Sequence, residues 1–285
     1  MAILKDFETK HFPTWCPGCG NYGIWTTVKQ ALVKAGFEPD QVLIVFGVGC
    51  SGNETNFLHG YGFHGLHGRP LPIAHGAKIA RRNVKVVVIG GDGDGYGEGL
   101  AHFIHTIRGN PELTYIVHDN QVYGLTKGQT SPTSEKGYKS SSTPSGVIEK
   151  PINPLSLALA AEATFVSQGF AGNAVHLTDL IVKALKHPGF SLVNVLQPCV
   201  TFNHHNTFQW FYRRVYDLAK EGYVTNDRMK AIERAREWGE RIPLGVFFEE
   251  VRDTYEEDLP QLAKMPLADE PLDDIDISPL LKELQ

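Results

Sequence analysis

Short apolar runs recur through the first two hundred residues, each closing on small or polar positions. Gln41–Gly47 (QVLIVFG), Lys85–Gly90 (KVVVIG), Leu113–His118 (LTYIVH), Thr164–Ser167 (TFVS) and Phe190–Leu196 (FSLVNVL) have this form. Apolarity without alternation marks strands buried on both faces. Between them the period lengthens. Tyr22–Ala35 sets Ile24, Val28, Leu32 and Ala35 on one helical face, and Gly36 suits the stop. Pro72–Arg82, Gly97–Arg108, Pro154–Ala163 and Thr178–His187 read as further helices. Strands alternating with helices predict an α/β fold, a doubly wound parallel sheet covered on both faces. After Phe208 the pattern turns helical and charged, over Gln209–Glu221 and Asn226–Trp238. Residues 1–207 are therefore expected to form the sheet domain, and 208–285 a helical C-terminal extension with a tail. Between Tyr123 and Pro154, Gly, Ser, Thr, Lys and Pro dominate. So long a loop in a compact domain is usually functional or mobile.

Composition narrows the classes. Of the 285 residues, 42% are hydrophobic and 21% charged, as in ordinary globular proteins. No apolar run approaches the ~20 residues that cross a bilayer, and Met1–Glu8 lacks the order of a secretory signal. A cytoplasmic protein without a membrane role is expected, where a C-x-x-C pair points to metal or redox chemistry. The net charge of −5 is uneven: from Glu249 onward twelve acidic residues face only Arg252, Lys264 and Lys282. Such a tail reads as solvated surface or as a docking arm. No basic stripe suggests nucleic acid.

Two segments carry candidate chemistry. Gly90-Gly-Asp-Gly-Asp-Gly-Tyr-Gly-Glu-Gly99 lies between a strand and a helix. No register of it gives G-x-G-x-x-G, and no Gly-Lys-Ser/Thr makes it a Walker loop. Its two aspartates repel each other unless a cation is near. Asp92 is followed 28 residues later by Asn120, at the end of the next apolar strand. The four cysteines are the second set. Cys16 and Cys19 share a turn, Cys50 follows the first strand and Cys199 the last. The spacings admit a thioredoxin-like pair, structural zinc, an iron–sulfur cluster or free buried thiols.

Gly91-Asp92-Gly93, a helix, a strand and then Asn120 resemble the signature of thiamine-diphosphate enzymes. That resemblance implies Mg²⁺, a hard cation with oxygen ligands, held by Asp92, the Asn120 side chain and the Val122 carbonyl. Helix N-termini suit phosphates, so the start of the Gly97 helix is expected to face the diphosphate. Along nearly its whole length the chain is similar to the β subunits of 2-oxoacid:ferredoxin oxidoreductases. Cys16-Pro-Gly-Cys19-Gly, Gly49-Cys50-Ser51, His64-Gly-Leu-His67-Gly-Arg69, Gly91-Asp-Gly-Asp94, Asp119-Asn120 and Cys199 carry it. Tyr123–Thr133 looks more like the 2-oxoglutarate-type members.

The family resemblance implies that the four cysteines ligate one [4Fe–4S] cluster. It also implies that Gly49, Ser51, His67, Gly91, Gly93 and Asp94 contact the cofactors, as do Gly124 and Leu125. The implied reaction interconverts a 2-oxoacid and coenzyme A with acyl-CoA and CO₂, with ferredoxin carrying the electrons. It further implies an α subunit that supplies the aminopyrimidine-binding domain and the activating glutamate, in an (αβ)₂ assembly. Lys127 is a candidate for drawing in the 2-oxoacid carboxylate, or is merely solvated. Arg69 and His67 are candidates near the reacting centre, with His67 the likelier contact. His64 and His67 lack partners for zinc; His102 and His105 read as packing or surface residues. His204 and His205 lie near Cys199 but suit a surface loop. Two competing readings are a non-redox thiamine lyase or carboligase, which needs no cysteine set, and a non-catalytic metal scaffold.

Overall fold

Val86 and Val88 enter one hydrophobic core, while Val87 and Ile89 of the same strand enter another. That division is the period of two in a strand covered on both faces. The computed structural model describes residues 2–271, 273 and 275–284. In chain order its elements begin with α1 (Asn21–Ala35), β1 (Val42–Phe46), β2 (Tyr61–His64), α2 (Pro70–Ala80) and β3 (Lys85–Gly91). Next come α3 (Leu100–Gly109), β4 (Leu113–Asp119), β5 (Val122–Tyr123), β6 (Gln129–Thr130) and α4 (Pro154–Ala160). Then follow β7 (Phe165–Phe170), α5 (Ala174–Lys186), β8 (Phe190–Leu196) and α6 (Phe208–Tyr212). The last are β9 (Val215–Asp217), α7 (Arg228–Ala235), β10 (Ile242–Glu249) and α8 (Ser278–Glu283).

Eight strands form one sheet in the order β2-β1-β3-β4-β8-β7-β10-β9. From β2 to β7 every neighbouring pair is parallel. One face is covered by α1 and α5, through Ile24, Val28, Leu32, Leu177 and Ile181. The other is covered by α2, α3, α4 and α7, through Leu71, Phe103, Ile107, Leu159 and Ala231. Asn153 and Asn173 start α4 and α5 by accepting the Ser156 and His176 N–H groups at 2.8 and 3.3 Å, the usual N-cap device.

The predicted strands and α/β class are found, with boundaries shifted by a few residues. Two expectations need correction. Residues 208–285 are not a purely helical extension: β10 pairs antiparallel with β7, and β9 lies beside β10. Pro243 and Gly245 break the run Ile242–Glu249, as residues of a bulge or edge do, and the register does shift between Val246 and Phe248. The edge strand β2 also escaped prediction: it has four exposed residues, with only Tyr61 and Phe63 to mark an alternation. The regular helix expected from Gly97 begins at Leu100, after a π-helical turn over Gly93–Glu98. Such turns are rare and gather at functional sites.

Because Phe247 is fully buried in the α2–α3–α4–α7 core, Phe247→Ala should cost about 3–5 kcal/mol. Denaturant unfolding measures this. A cost near zero would show that β10 is not integral to the sheet.

Candidate functional site

The carboxyl ends of β1, β3, β4 and β8 converge on one edge of the sheet, where ligands of open α/β folds sit. The loop after β1 carries Cys50, and the turn after β3 carries Asp92 and Asp94. Asn120 follows β4, and Cys199 follows β8. A cavity of about 110 Å³ lies here, lined by Gly49, Ser51, His67, Asp92, Asn120 and Val122 among others. Gly91, Gly93, Asp94, Gly124 and Leu125 also line it. Most residues that the sequence reading placed against thiamine diphosphate or its metal therefore face one space; the start of the Gly97 segment and Arg69 do not line it.

Asp92 is buried, and the Ser131 and Thr133 hydroxyls both donate to its Oδ2 at 2.5 Å. Burial raises the Asp92 pKa; these hydroxyls and neighbouring backbone N–H groups oppose it. Thr133 Oγ1 also lies 2.9 Å from Asp119 Oδ1. One hydroxyl has one proton, so both contacts are satisfied together when Asp119 is protonated and donates. Burial, and then the charge of Asp92, push the Asp119 pKa up to about 7. Asn194 donates to Asp119 Oδ2 at 3.1 Å and accepts from the Tyr96 hydroxyl at 2.9 Å. This buried pair with its polar frame is a place where a cation would relieve repulsion.

Asp94 plays a different part. Its Oδ1 accepts from Val48 N–H at 3.0 Å and Gly68 N–H at 2.8 Å, and lies 3.6 Å from His67 Nε2. It thus ties the Cys50 loop to the His67 segment. A Cβ on Gly47 would stand 2.0 Å from Asp94 Oδ2, so glycine is required for this approach. Asn120 Oδ1 accepts from Val122 N–H at 3.0 Å, and Tyr123 donates to the Gly93 carbonyl at 3.3 Å. His118, also on the cavity, holds its Nδ1 2.9 Å from Asn21 Oδ1. Burial lowers the His118 pKa to about 3, which keeps the ring neutral.

All four cysteines line a second cavity, of about 230 Å³. Cys16 is exposed, Cys19 and Cys50 are half-buried, and Cys199 is buried. Trp15 Nε1 donates to the Cys50 carbonyl at 2.7 Å, and Gly20 N–H to the Pro198 carbonyl at 3.2 Å. These bonds hold the three cysteine-bearing loops together. Burial first, then the charge of the other thiols, raises Cys19 to about 12 and Cys50 to about 11. A bound cation reverses that order, since coordination deprotonates a thiol. Among the described residues no three His, Cys, Asp or Glu side chains close on one point as a single ion requires. The thiols surround a volume.

The two cavities share Cys50, Asn120, Gly124 and Leu125. A Cβ on Gly124 would lie 3.4 Å from Cys50 Sγ and 3.9 Å from Cys199 Sγ, so a bare backbone forms the partition. Lys127 lines the cysteine cavity and not the other. Arg69 is on neither: its Nη1 meets His102 Nε2 at 2.5 Å on the exposed surface beside α3. His64 is exposed, and His205 sits 3.5 Å from Glu135 and against Trp210. Asp119 was quoted from sequence only as part of the family resemblance, and Ser131, Thr133 and Asn194 were given no role. Asp119 had a signal in its adjacency to Asn120; the others depend on a fold-back of the loop that no local pattern announces.

The family described as "Thiamine pyrophosphate enzyme, C-terminal TPP binding domain" matches residues 47–195. The family for the C-terminal part of the pyruvate ferredoxin oxidoreductase beta chain matches residues 199–264. A 2-oxoacid:ferredoxin oxidoreductase subunit beta of Saccharolobus solfataricus is 42% identical, over 94% of this chain and 95% of its own. A 2-oxoglutarate synthase subunit KorB of Archaeoglobus fulgidus is 41% identical, over 70% of this chain and 75% of its own. The solved 2-oxoglutarate:ferredoxin oxidoreductase from Magnetococcus marinus, with 2-oxoglutarate, coenzyme A and succinyl-CoA bound, superposes with a TM-score of 0.91. It is 36% identical and covers 100% of this chain and 96% of that one. The thiamine-type edge of the sheet, the strand order and these relatives agree: the chain belongs to the β subunits of 2-oxoacid:ferredoxin oxidoreductases.

Proposed function

We propose that this subunit holds the diphosphate end of thiamine diphosphate, one Mg²⁺ and one [4Fe–4S] cluster. We further propose that, with an α subunit, it oxidises 2-oxoglutarate in the presence of coenzyme A and passes the electrons to ferredoxin. One observation carries the reading: the Asp92–Asn120 cavity and the four-cysteine cavity are neighbours with a common wall. A non-redox thiamine lyase has no use for that adjacency.

The donor sets fit the groups. Asp92, the Asn120 side chain and the Val122 carbonyl offer hard oxygens suited to Mg²⁺. The Ser131 and Thr133 hydroxyls orient the Asp92 carboxylate toward that task from behind. Four thiols on one cavity suit zinc or an iron–sulfur cluster as donors, and the thiamine-type cavity next to them favours the cluster, which can accept electrons. Thiamine diphosphate, when bound, supplies the electron sink that lets a 2-oxoacid lose CO₂. This chain's share is to anchor the diphosphate, hold His67 at the cavity wall and keep the electron outlet beside it. Arg69 is assigned no contact with the cofactor, since it lies outside both cavities.

A cavity of about 110 Å³ is small beside the ~300–1,000 Å³ typical of cofactor-sized ligands. The remainder of the site is assigned to the α subunit, with its activating glutamate, in an (αβ)₂ assembly. The choice of 2-oxoglutarate rests on the KorB relative and on the ligands named for the Magnetococcus enzyme.

Asp92→Ala should abolish Mg²⁺-dependent thiamine-diphosphate binding, by more than about a hundredfold on the scale of lost metal support. Calorimetry on the folded complex reads this, and unchanged affinity would remove the metal assignment. Anaerobically purified complex should be brown and contain about four iron atoms per cysteine set; zinc in their place would refute the cluster. The complex should reduce ferredoxin faster with 2-oxoglutarate than with pyruvate or branched 2-oxoacids, while the isolated chain should be inactive. Turnover by the isolated chain would overturn the half-site reading.

A further inference from the structure

We propose that the mouth of the cysteine cavity, with Lys127, Leu125 and Val200 on its lining and Lys136 and Lys139 on the loop fastened beside it, is the docking face for a small acidic one-electron carrier of the ferredoxin class. This rests on the redox reading above and adds to it the surface through which electrons leave.

The cavity opens outward. Cys16 is exposed, whereas Cys199 at its inner end is buried. Electrons cross between centres only at short range, so a carrier must seat itself at this mouth. Leu125 and Val200 line the cavity and are 58% and 37% exposed. They form a small apolar contact of the kind found at the centre of modest electron-transfer interfaces.

Basic residues stand on the cavity lining and on the loop beside it. Lys127 lines the cavity and is exposed. Lys136 and Lys139, also exposed, flank Tyr138. The Tyr138 hydroxyl donates to the carbonyl of Phe202, another lining residue, at 2.7 Å. That bond fastens the lysine-bearing loop to the cavity rim.

Its acidic neighbour Glu135 is turned elsewhere. It accepts from Trp238 Nε1 at 2.8 Å and Asn206 Nδ2 at 3.2 Å, and lies 3.5 Å from His205. From Tyr123 to Lys150 four lysines stand against Glu135 and Glu149, in a chain whose net charge is −5. The loop is net positive and attracts such a partner. A local charge of this sign steers association and sets its salt dependence.

Lys127 carries a further mark. Its φ of 82° places a non-glycine residue in the left-handed region, a conformation that collects at functional positions. The Lys127 N–H donates to the Gly124 carbonyl at 3.1 Å, and the Gly128 N–H to the Tyr123 carbonyl at 2.8 Å. The β5–β6 hairpin thus holds a lysine at its tip where glycine would be easier.

The test compares two electron acceptors with the whole complex, under anaerobic conditions with 2-oxoacid and coenzyme A. In Lys136→Glu/Lys139→Glu, kcat/KM for ferredoxin should fall at least about tenfold, within the range that steering spans. The rate with methyl viologen, which needs no docking face, should stay within about twofold of the parent. Lys136→Gln/Lys139→Gln should fall between parent and reversal, and added salt should bring the parent toward the reversed variant. Arg82→Glu/Lys186→Glu is the control, on a basic cleft near the amino ends of β1 and β3. Unchanged ferredoxin kinetics in the reversal would overturn the proposal, as would an equal fall with viologen or in the control. If the parent complex reduced neither acceptor, the redox reading itself would be refuted.

Discussion

Negative charge gathered where water is excluded is the constraint on which this edge of the sheet depends. Asp92 and Asp119 meet on the single hydroxyl of Thr133, and four thiols converge a backbone's thickness away. Left alone, each set neutralises itself by holding protons, which is why Asp119, Cys19 and Cys50 all resist ionisation. A cation reverses the preference in both places. On the proposed reading, the oxygen donors on one side suit a hard ion and the sulfur donors on the other a softer cluster. The polar frame of Ser131, Thr133, Asn194 and Tyr96 belongs to the same problem. It keeps buried carboxylates in one orientation, at the expense of four side chains withdrawn from solvent.

Much of this was legible in the sequence because it is local. β1, β3, β4 and β8 are continuous apolar runs, and Gly91-Asp92-Gly93 and Asn120 stand at two of their ends. Once the strands are parallel, convergence of those ends follows. What stayed hidden depends on distant partners. Ser131 and Thr133 reach Asp92 only because the loop after β6 folds back across the cavity. β10 was obscured by Pro243 and Gly245, whose local signals oppose a strand while antiparallel pairing with β7 imposes one. β2 has no buried side chain, and backbone pairing alone holds it to β1. Arg69 shows what adjacency in sequence leaves open: two residues from a cavity-lining histidine, its side chain meets His102 in this structure.

The shared partition explains why the two cavities cannot be treated as separate devices. Gly124 contributes no side chain to it, and a methyl group there would come into contact with Cys50, Asn120 and Cys199 together. The wall at this point is backbone alone. The cost is a hairpin with little core of its own, since β5 and β6 have two residues each. Tyr123 compensates by anchoring to the Gly93 carbonyl and packing near His67, so the hairpin is fixed by the diphosphate side of the site.

That anchoring has a directional consequence. One face of the hairpin is held by Tyr123 against the turn bearing Asp92, while its tip presents Lys127 in a strained conformation over the cysteines. Residues 124–127 therefore border the cavities, Gly124 and Leu125 on both together and Lys127 on the cysteine side alone. The parallel core from β1 to β8 is packed on both faces and fixes where the two cavities lie. The hairpin supplies the wall between them.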